Sequence, residues 1–364
     1  MKIKIAILDR DSNYLSRMVS AFAARYSEKI ELYSFTDLEQ AYACLRESKI
    51  DVFLASTDFD IDTGRIPPRC IFAYFVENSD IETFKDQRAI SKFQKADLIY
   101  KQILGLYAEI SSLVTGVRLK SDNAAMIYAF MPASGGVGSS TVAAAFARNQ
   151  AMQGRKTLYF NFELYGCADL FFSGEGQSTL SDIIYTLNSK KTNLGIKLES
   201  SVKQDQCGVY FYSSPEIALD MMELGDKDKL RILNEITSTA DYQVIVLDLD
   251  FDLGKERLDL LKLVDGIVFV SDGSQISRVK TARVSNALKA VEEQTEIWLT
   301  SKSYILYNKF SSKTSQALNS LEWKFLGGVP KYEGAATQQI VAQIAGMDVF
   351  ANLQKVEEAE PAAY

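Results

Sequence analysis

The sequence predicts an α/β protein that consists of two doubly wound domains. Short apolar segments alternate with helical segments along most of the 364 residues, and this alternation is typical of parallel sheets covered by helices. A polar stretch rich in turn residues, at residues 115–123, divides these segments into two groups. We therefore expect a five-stranded parallel sheet in the first domain and a larger, mostly parallel sheet in the second.

The predicted boundaries follow from this division. The length suits two domains of roughly 150 residues each. We assign the first domain to residues 1–116, a linker to residues 117–124 and the second domain to residues 125–352. Residues 353–364 form an acidic tail that we expect to be disordered.

Composition excludes several classes of protein. Histidine is absent and the 4 cysteines lack C-x-x-C spacing, which argues against a zinc site, a disulfide framework and histidine-dependent nucleophilic catalysis. A net charge of −7 gives the chain no general attraction to nucleic acid. No apolar run reaches the roughly 18 residues that a membrane-spanning helix needs. We expect a cytoplasmic protein without an intrinsic membrane helix.

Polar residues follow the predicted strands of the first domain. Asp9 and Asp11 come after the first strand, Ser56 ends the third, and Lys95 follows the fifth. This order resembles the receiver domain of two-component response regulators, which has a flavodoxin-like fold. The resemblance places Ser56 where receivers carry the aspartate that accepts phosphate. Because serine cannot form an acyl phosphate, we expect a docking or dimerisation domain.

A glycine-rich loop opens the second domain. Residues 133–141 lie between an apolar segment and an alanine-rich segment, which predicts a strand, a turn and a helix. Such a loop directs backbone N–H groups and a helix N-terminus toward one point, and hydroxyls in the first helical turn can bind Mg²⁺. The pattern predicts an ATP phosphate loop, although a tight turn without ligand would also explain it. The candidate nucleotide-binding residues are Ser134, Gly135, Gly136, Val137, Gly138, Ser139, Ser140 and Thr141, and Ser140 is also a candidate Mg²⁺ ligand.

Polar residues at the ends of later strands supplement this loop. Glu163 is a candidate to orient water near the terminal phosphate, since crevice ligands meet the carboxyl ends of strands, and Asp169 in the same loop region is a weaker candidate. An apolar strand that closes on Asp248 is a Walker B pattern, in which Asp248 holds Mg²⁺ through water and Asp250 is a second candidate. Asn308 and Pro330 follow two further strands and suit adenine recognition.

In chain order, the loop, Glu163, Asp248, Asn308 and Pro330 resemble the deviant Walker A ATPases related to MinD and ParA, over roughly residues 123–352. A receiver-like domain followed by such an ATPase is similar to the TadZ/CpaE family, which positions the machinery of tight-adherence (Flp) pili. The resemblance implies ATP and Mg²⁺ as cofactors and a homodimer formed through the ATP-binding domain. It also implies pilus-assembly proteins as partners, which would recruit the chain to the membrane or the cell pole.

Both lysines that characterise this ATPase family are absent. Ser134 stands in place of the signature lysine, and Ser139 in place of the lysine before the Mg²⁺-binding hydroxyl. Because positive groups stabilise the transferring phosphoryl group, we expect at most a weak ATPase, with Glu163 as its catalytic residue. Arg278 and Lys280 are candidates to supply the missing charge.

The sequence therefore predicts an ATP-binding localisation and assembly factor that forms a nucleotide-stabilised dimer and hydrolyses ATP slowly or not at all. Three alternatives remain open. The first is an active ATPase that cycles as MinD and ParA do, and the second is a scaffold that binds no nucleotide. The third is a nucleic-acid-binding regulatory protein, which the acidic composition disfavours.

Overall fold

The computed structural model describes residues 2–110, 125–189, 193–295 and 297–353. The predicted linker at residues 117–124 lies outside these residues, and so does the predicted tail from residue 354 onward. Among the described residues, no helix has the length and apolarity needed to cross a bilayer.

The chain divides into two compact units. The first unit comprises the described parts of Met1–Val117 and Thr186–Ser201, and the second comprises those of Arg118–Tyr185 and Val202–Tyr364. Each unit contains one mostly parallel sheet. The prediction of two doubly wound α/β domains is confirmed.

The elements alternate between strand and helix along most of the chain. The strands are β1 (Ile3–Leu8), β2 (Ile30–Phe35), β3 (Val52–Ser56), β4 (Ile71–Val76), β5 (Thr83–Phe84), β6 (Gln87–Ser91), β7 (Met126–Pro132), β8 (Thr157–Asn161), β9 (Lys203–Gln204), β10 (Tyr210–Phe211), β11 (Val244–Asp248), β12 (Gly266–Ser271), β13 (Ser303–Phe310) and β14 (Lys324–Pro330). The helices are α1 (Ser12–Tyr26), α2 (Leu38–Glu47), α3 (Ala96–Ile110), α4 (Ser139–Met152), α5 (Ala168–Phe171), α6 (Leu180–Asn188), α7 (Leu194–Ser201), α8 (Leu219–Met222), α9 (Asp226–Thr239), α10 (Lys255–Lys262), α11 (Gln275–Thr295) and α12 (Thr337–Ala345).

The sheet of the first unit has the strand order β2-β1-β3-β4-β6-β5. It contains the five parallel strands expected from the sequence, and β5 adds two residues that pair antiparallel with β6. Successive side chains of a strand point to opposite faces. Ile7 accordingly packs in one hydrophobic cluster with Phe22 and Ile103, while Leu8 packs in another with Tyr42.

A helix from the second half of the sequence completes the first unit. Helix α7 packs against α3, and the partly buried Ile196 joins the cluster that contains Ile7. Lys29 forms an ion pair with Glu199, whose Oε1 also accepts a hydrogen bond of 3.3 Å from the Tyr100 hydroxyl. The first compact unit is therefore built from two separate segments of the chain.

The sheet of the second unit has the strand order β14-β13-β12-β7-β11-β8-β10-β9, and β9 alone among these described strands runs antiparallel to its neighbour. Strand β7 lies in the interior, between β12 and β11. Helix α4 packs against the sheet and against α12. Because parallel strands end at the same edge, the residues that follow β7, β8, β11, β13 and β14 lie along one edge of the sheet.

The aromatic cluster around Phe146 anchors α4 to the sheet. The Phe146 side chain is fully buried, with ring centroids 5.1 Å from Tyr128, 5.3 Å from Phe130 and 5.2 Å from Phe350. These contacts hold the helix whose first turn borders the glycine-rich loop. The loop geometry thus depends on this packing.

We predict that Phe146→Ala lowers the free energy of unfolding of the second unit by about 3–5 kcal/mol, because it removes a buried ring and leaves a cavity. Urea unfolding monitored by circular dichroism measures this change. Met152→Ala is the matched control on the same helix: its side chain is exposed, and we expect a change within about 0.5 kcal/mol. Equal effects of the two substitutions would contradict the prediction.

Candidate functional site

The glycine-rich loop connects the carboxyl end of β7 to α4. Gly136 and Gly138 have φ angles of +76° and +82°, in the left-handed region that L side chains rarely adopt. Gly138 directly precedes α4, so the N-terminus of this 14-residue helix borders the loop. Helix N–H groups and the positive end of the helix dipole therefore face the loop, as an anion site requires.

The loop is open on one side and closed on the other. A Cβ atom at Gly135 or Gly136 would meet no heavy atom within 4 Å, whereas at Gly138 it would lie 2.6 Å from Asn308 Nδ2. Gly138 is therefore required twice, for its backbone conformation and for its clearance from β13.

Two residues near the end of β13 bind the carbonyl groups of the loop. Asn308 donates from Nδ2 to the carbonyl oxygen of Val137 at 2.8 Å and to that of Gly138 at 3.4 Å. Lys309 donates from Nζ to the carbonyl oxygen of Gly136 at 2.8 Å. The amide nitrogen of Asn308 therefore binds the loop. A role of Asn308 in adenine recognition stays a prediction.

Lys309 is a residue that sequence reasoning missed. A lysine directly after Asn308, at the carboxyl end of a predicted strand, was the available signal. Its backbone has a φ of +56°, which is uncommon for a residue with a side chain.

Ser134 joins a chain of neutral hydroxyl groups. Its Oγ donates to Ser277 Oγ at 2.9 Å, and Ser277 Oγ lies 2.7 Å from Ser271 Oγ. Both Ser271 and Ser277 are buried. Ser134 is thus hydrogen-bonded to buried hydroxyl groups in the interior of the second unit.

The two basic residues proposed to replace the missing lysines have different surroundings. Lys280 and Arg283 line a cavity of about 340 Å³ together with Ser134 and Gly135. Arg278 instead hydrogen-bonds the side chain of Gln316. Of the two candidates, Lys280 is the one that shares a cavity with the loop.

Asp248 is fully buried at the end of β11. Its Oδ2 accepts hydrogen bonds from the Tyr159 hydroxyl at 2.7 Å and from Asn161 Nδ2 at 3.0 Å. Burial, reinforced by the nearby Glu163 carboxylate, raises the pKa of Asp248 well above its usual value. Burial also raises the pKa of Tyr159, which keeps its hydroxyl proton available as a donor. Asp248 Oδ1 has no hydrogen-bond partner.

Glu163 reaches the first turn of α4. Its Oε2 accepts a hydrogen bond of 2.8 Å from Ser140 Oγ and a longer one of 3.3 Å from Asn161 Nδ2. Desolvation raises the pKa of Glu163, while the Ser140 hydrogen bond opposes this effect. Asn161 Oδ1 accepts from the Glu163 backbone N–H at 2.9 Å. The structure therefore brings Ser140, Glu163 and Asp248 together around Asn161.

The remaining candidates lie at the periphery. Asp250 is exposed, and its Oδ2 accepts from the Leu164 backbone N–H at 2.9 Å. Asp169 accepts in the same way from the Ser214 N–H at 2.7 Å. Thr141 lies in the first turn of α4, and Pro330 is the exposed last residue of β14.

The residues present fit Mg²⁺ and a phosphate chain. Asp248 Oδ1 is a buried polar atom without a hydrogen-bond partner, and carboxylate oxygens suit Mg²⁺. Ser139 Oγ, in the first turn of α4, is a second buried polar atom without a partner. The described part of the chain contains no group of three or more His, Cys, Asp or Glu residues that could hold a metal. Mg²⁺ at this site would therefore also need oxygen atoms from water or from a ligand such as a phosphate chain.

The first unit contains a second polar cluster. Lys92 Nζ lies 3.5 Å from Asp9 Oδ2, and both side chains are buried. Lys92 directly follows β6, so it lies at the strand end where the receiver resemblance placed Lys95. Lys95 is exposed. Asp11 caps α1 by accepting from two backbone N–H groups. Ser56 is buried at the end of β3, where its Oγ donates to Asp58 Oδ2 at 3.0 Å.

We predict that Asp248→Asn stabilises the nucleotide-free protein above about pH 5. The raised pKa of Asp248 means that the folded state resists ionisation of a carboxyl that ionises freely in the unfolded chain. The aspartate therefore costs stability as pH rises above its unfolded pKa, and one pKa unit corresponds to about 1.4 kcal/mol. Thermal unfolding between pH 4 and pH 8 measures the gain.

The gain from Asp248→Asn should be largest at pH 8 and should shrink toward pH 4. Asp252→Asn is the control, because Asp252 is exposed and its Oδ1 accepts from the Gly254 N–H, a bond that asparagine can keep. A destabilised Asp248→Asn protein at pH 8 would contradict the prediction.

Several solved structures are similar to this chain, at low identity. A ParA family ATPase from Chlorobium tepidum TLS is 21% identical, with 64% of this chain and 94% of that chain covered and a TM-score of 0.49. MinD from Aquifex aeolicus, in its complex with MinC, is 15% identical over 66% and 99% of the two chains, with a TM-score of 0.49. MinD from Pyrococcus horikoshii OT3, complexed with Mg-ADP, is 13% identical over 66% and 100%, with a TM-score of 0.48. No protein with a curated description matches the chain.

A family comparison identifies the first unit. Residues 1–108 match the family described as TadZ-like, receiver domain. This range contains the five parallel strands, the buried Asp9–Lys92 pair and Ser56. Residues 1–108 are therefore similar to TadZ-like receiver domains.

Proposed function

We propose that this protein is an ATP-binding localisation and assembly factor for tight-adherence pilus machinery. The observation that carries the proposal is the convergence of the glycine-rich loop, Ser140 and the unpartnered Oδ1 of Asp248 at one sheet edge. The TadZ-like receiver domain supports the pilus assignment. ATP and Mg²⁺ are the proposed cofactors.

The loop and the acidic residues have separate roles in binding. The backbone N–H groups and the helix N-terminus would hold the phosphates, since the loop supplies no lysine. Ser140 would bind Mg²⁺ directly, with Asp248 acting through water and Asp250 as a further contributor. Mg²⁺ would neutralise phosphate charge when bound. Pro330 and Asn308 would lie next to the adenine base of the nucleotide.

Hydrolysis would be slow. Removing one preorganised donor at a site of charge development costs about 10²–10³ in rate in other enzymes, and here Ser134 and Ser139 replace two lysines. Glu163 is the proposed residue that positions the attacking water, and its Oε2 accepts a hydrogen bond from Ser140 Oγ. Bound ATP would then favour a homodimer formed through the second unit.

The receiver domain would serve for docking. Ser56 cannot accept a phosphoryl group as an acyl phosphate, so its position offers no receiver-type switch. The domain would bind pilus-assembly proteins, and these partners would recruit a cytoplasmic protein to the membrane or the cell pole.

We predict that the wild-type protein binds Mg-ATP and forms a dimer on binding. Calorimetry measures the binding, and light scattering on the same samples measures the doubled molar mass. Asp248→Asn and Ser140→Ala should weaken Mg-ATP binding at least about tenfold, because the first removes a negative charge that attracts Mg²⁺ and the second removes a hydroxyl ligand. Asp252→Asn should bind like the wild type. Absence of wild-type binding would refute the proposal and favour a scaffold that uses no nucleotide.

We also predict that Ser139→Lys raises the ATPase rate by about 10² by restoring a positive group at the phosphates. Phosphate release under saturating Mg-ATP measures the rate, and Ser139→Ala should stay as slow as the wild type. A wild-type rate equal to that of lysine-bearing relatives would show instead an active, cycling ATPase. Binding to DNA at low salt would favour the nucleic-acid alternative.

A further inference from the structure

We infer that Lys309, together with Asn308, forms an external clamp that holds the glycine-rich loop in its anion-binding conformation. The clamp acts from β13 on a loop that contains no lysine of its own. Lys309 is therefore a positioning residue for a phosphate-bearing ligand. This inference rests on the proposed binding of nucleotide at the loop.

The hydrogen bonds of the clamp fix the direction of the loop's N–H groups. In a trans peptide, the carbonyl of one residue and the N–H of the next point in opposite directions. Lys309 holds the carbonyl of Gly136 and Asn308 holds that of Val137, each at 2.8 Å. The N–H groups of Val137 and Gly138 are therefore turned away from β13, and successive N–H groups so directed form an anion-binding concavity.

The backbone of β13 is distorted in a way that serves this arrangement. Successive side chains of a regular strand point to opposite faces, yet Asn308 and Lys309 both reach the same loop. The pairing of β13 with β14 is irregular between Tyr307 and Phe310, and Lys309 has a φ of +56°. Such strained positions concentrate at functional sites, where the surroundings maintain them.

The loop in turn accommodates the clamp. A Cβ at Gly138 would lie 2.6 Å from Asn308 Nδ2 and 3.5 Å from Lys309 Cε. Because Gly138 has no side chain, Asn308 and Lys309 can approach the loop backbone closely. Lys309 is exposed, so its ammonium group also adds positive charge at the surface beside the loop.

The test compares Lys309→Met, Lys309→Arg and the control Lys324→Met in the full chain. Lys324 is an exposed lysine at the opposite, amino-terminal end of β14, so its substitution changes the net charge equally. Two quantities are measured: short-time hydrogen exchange of residues 134–141 without nucleotide, and the affinities for Mg-ATP, Mg-ADP and pyrophosphate.

We expect Lys309→Met to accelerate hydrogen exchange in the loop and to lower the affinity for each of the three ligands about tenfold, because a hydrogen bond from a charged donor is lost. Lys309→Arg should restore both quantities in large part, and Lys324→Met should change neither. Thermal unfolding checks that Lys309→Met folds normally.

Two results would overturn the clamp. Unchanged loop exchange and unchanged affinities in Lys309→Met would show that Lys309 has no positioning role. Unchanged loop exchange with a loss specific to ATP would show that Lys309 acts directly on the terminal phosphate. If the wild type binds none of the ligands, the proposed function fails, while the exchange experiment still decides whether Lys309 orders the loop.

Discussion

The left-handed backbone at Gly138 is the constraint on which the site of the second unit depends. It allows β7 to end, the loop to turn and α4 to begin within a few residues, so that the helix N-terminus borders the loop. Any side chain at this position would collide with Asn308. The same residue therefore sets the direction of the helix and permits the contact with β13. Neither the helix dipole nor the loop amides could converge without it.

Burial of a carboxyl group at the end of β11 is the second organising feature. Asp248 is fully buried, and desolvation raises its pKa strongly. Tyr159 and Asn161 satisfy one of its oxygens and leave Oδ1 unpartnered. Proteins tolerate such an uncompensated group at functional sites more readily than elsewhere. The buried carboxyl group therefore costs folding stability at pH values where it would ionise in the unfolded chain.

The first unit carries a cluster of polar residues at the carboxyl edge of its sheet, and contacts within the unit hold each of them. A buried pair, Asp9 and Lys92, remains at the carboxyl edge of the sheet. Ser56, at the end of β3, is buried and hydrogen-bonded to Asp58. Asp11 caps α1, and its carboxylate accepts hydrogen bonds from two backbone N–H groups. These contacts make the cluster a structural part of the first unit.

The sequence by itself determined the two α/β domains, because strand and helix periodicity is local and glycines mark the loop. It also determined that Ser140, Glu163 and Asp248 lie near one another, since carboxyl ends of parallel strands meet at one edge. The sequence pattern favours Lys95, not Lys92, as the lysine at the end of the fifth parallel strand, because local pattern does not fix where a strand ends. Only the tertiary structure decided that α7 belongs to the first unit and that Lys309 binds Gly136. Both depend on contacts between residues far apart in the chain, and the second also depends on a strand irregularity that no periodicity encodes.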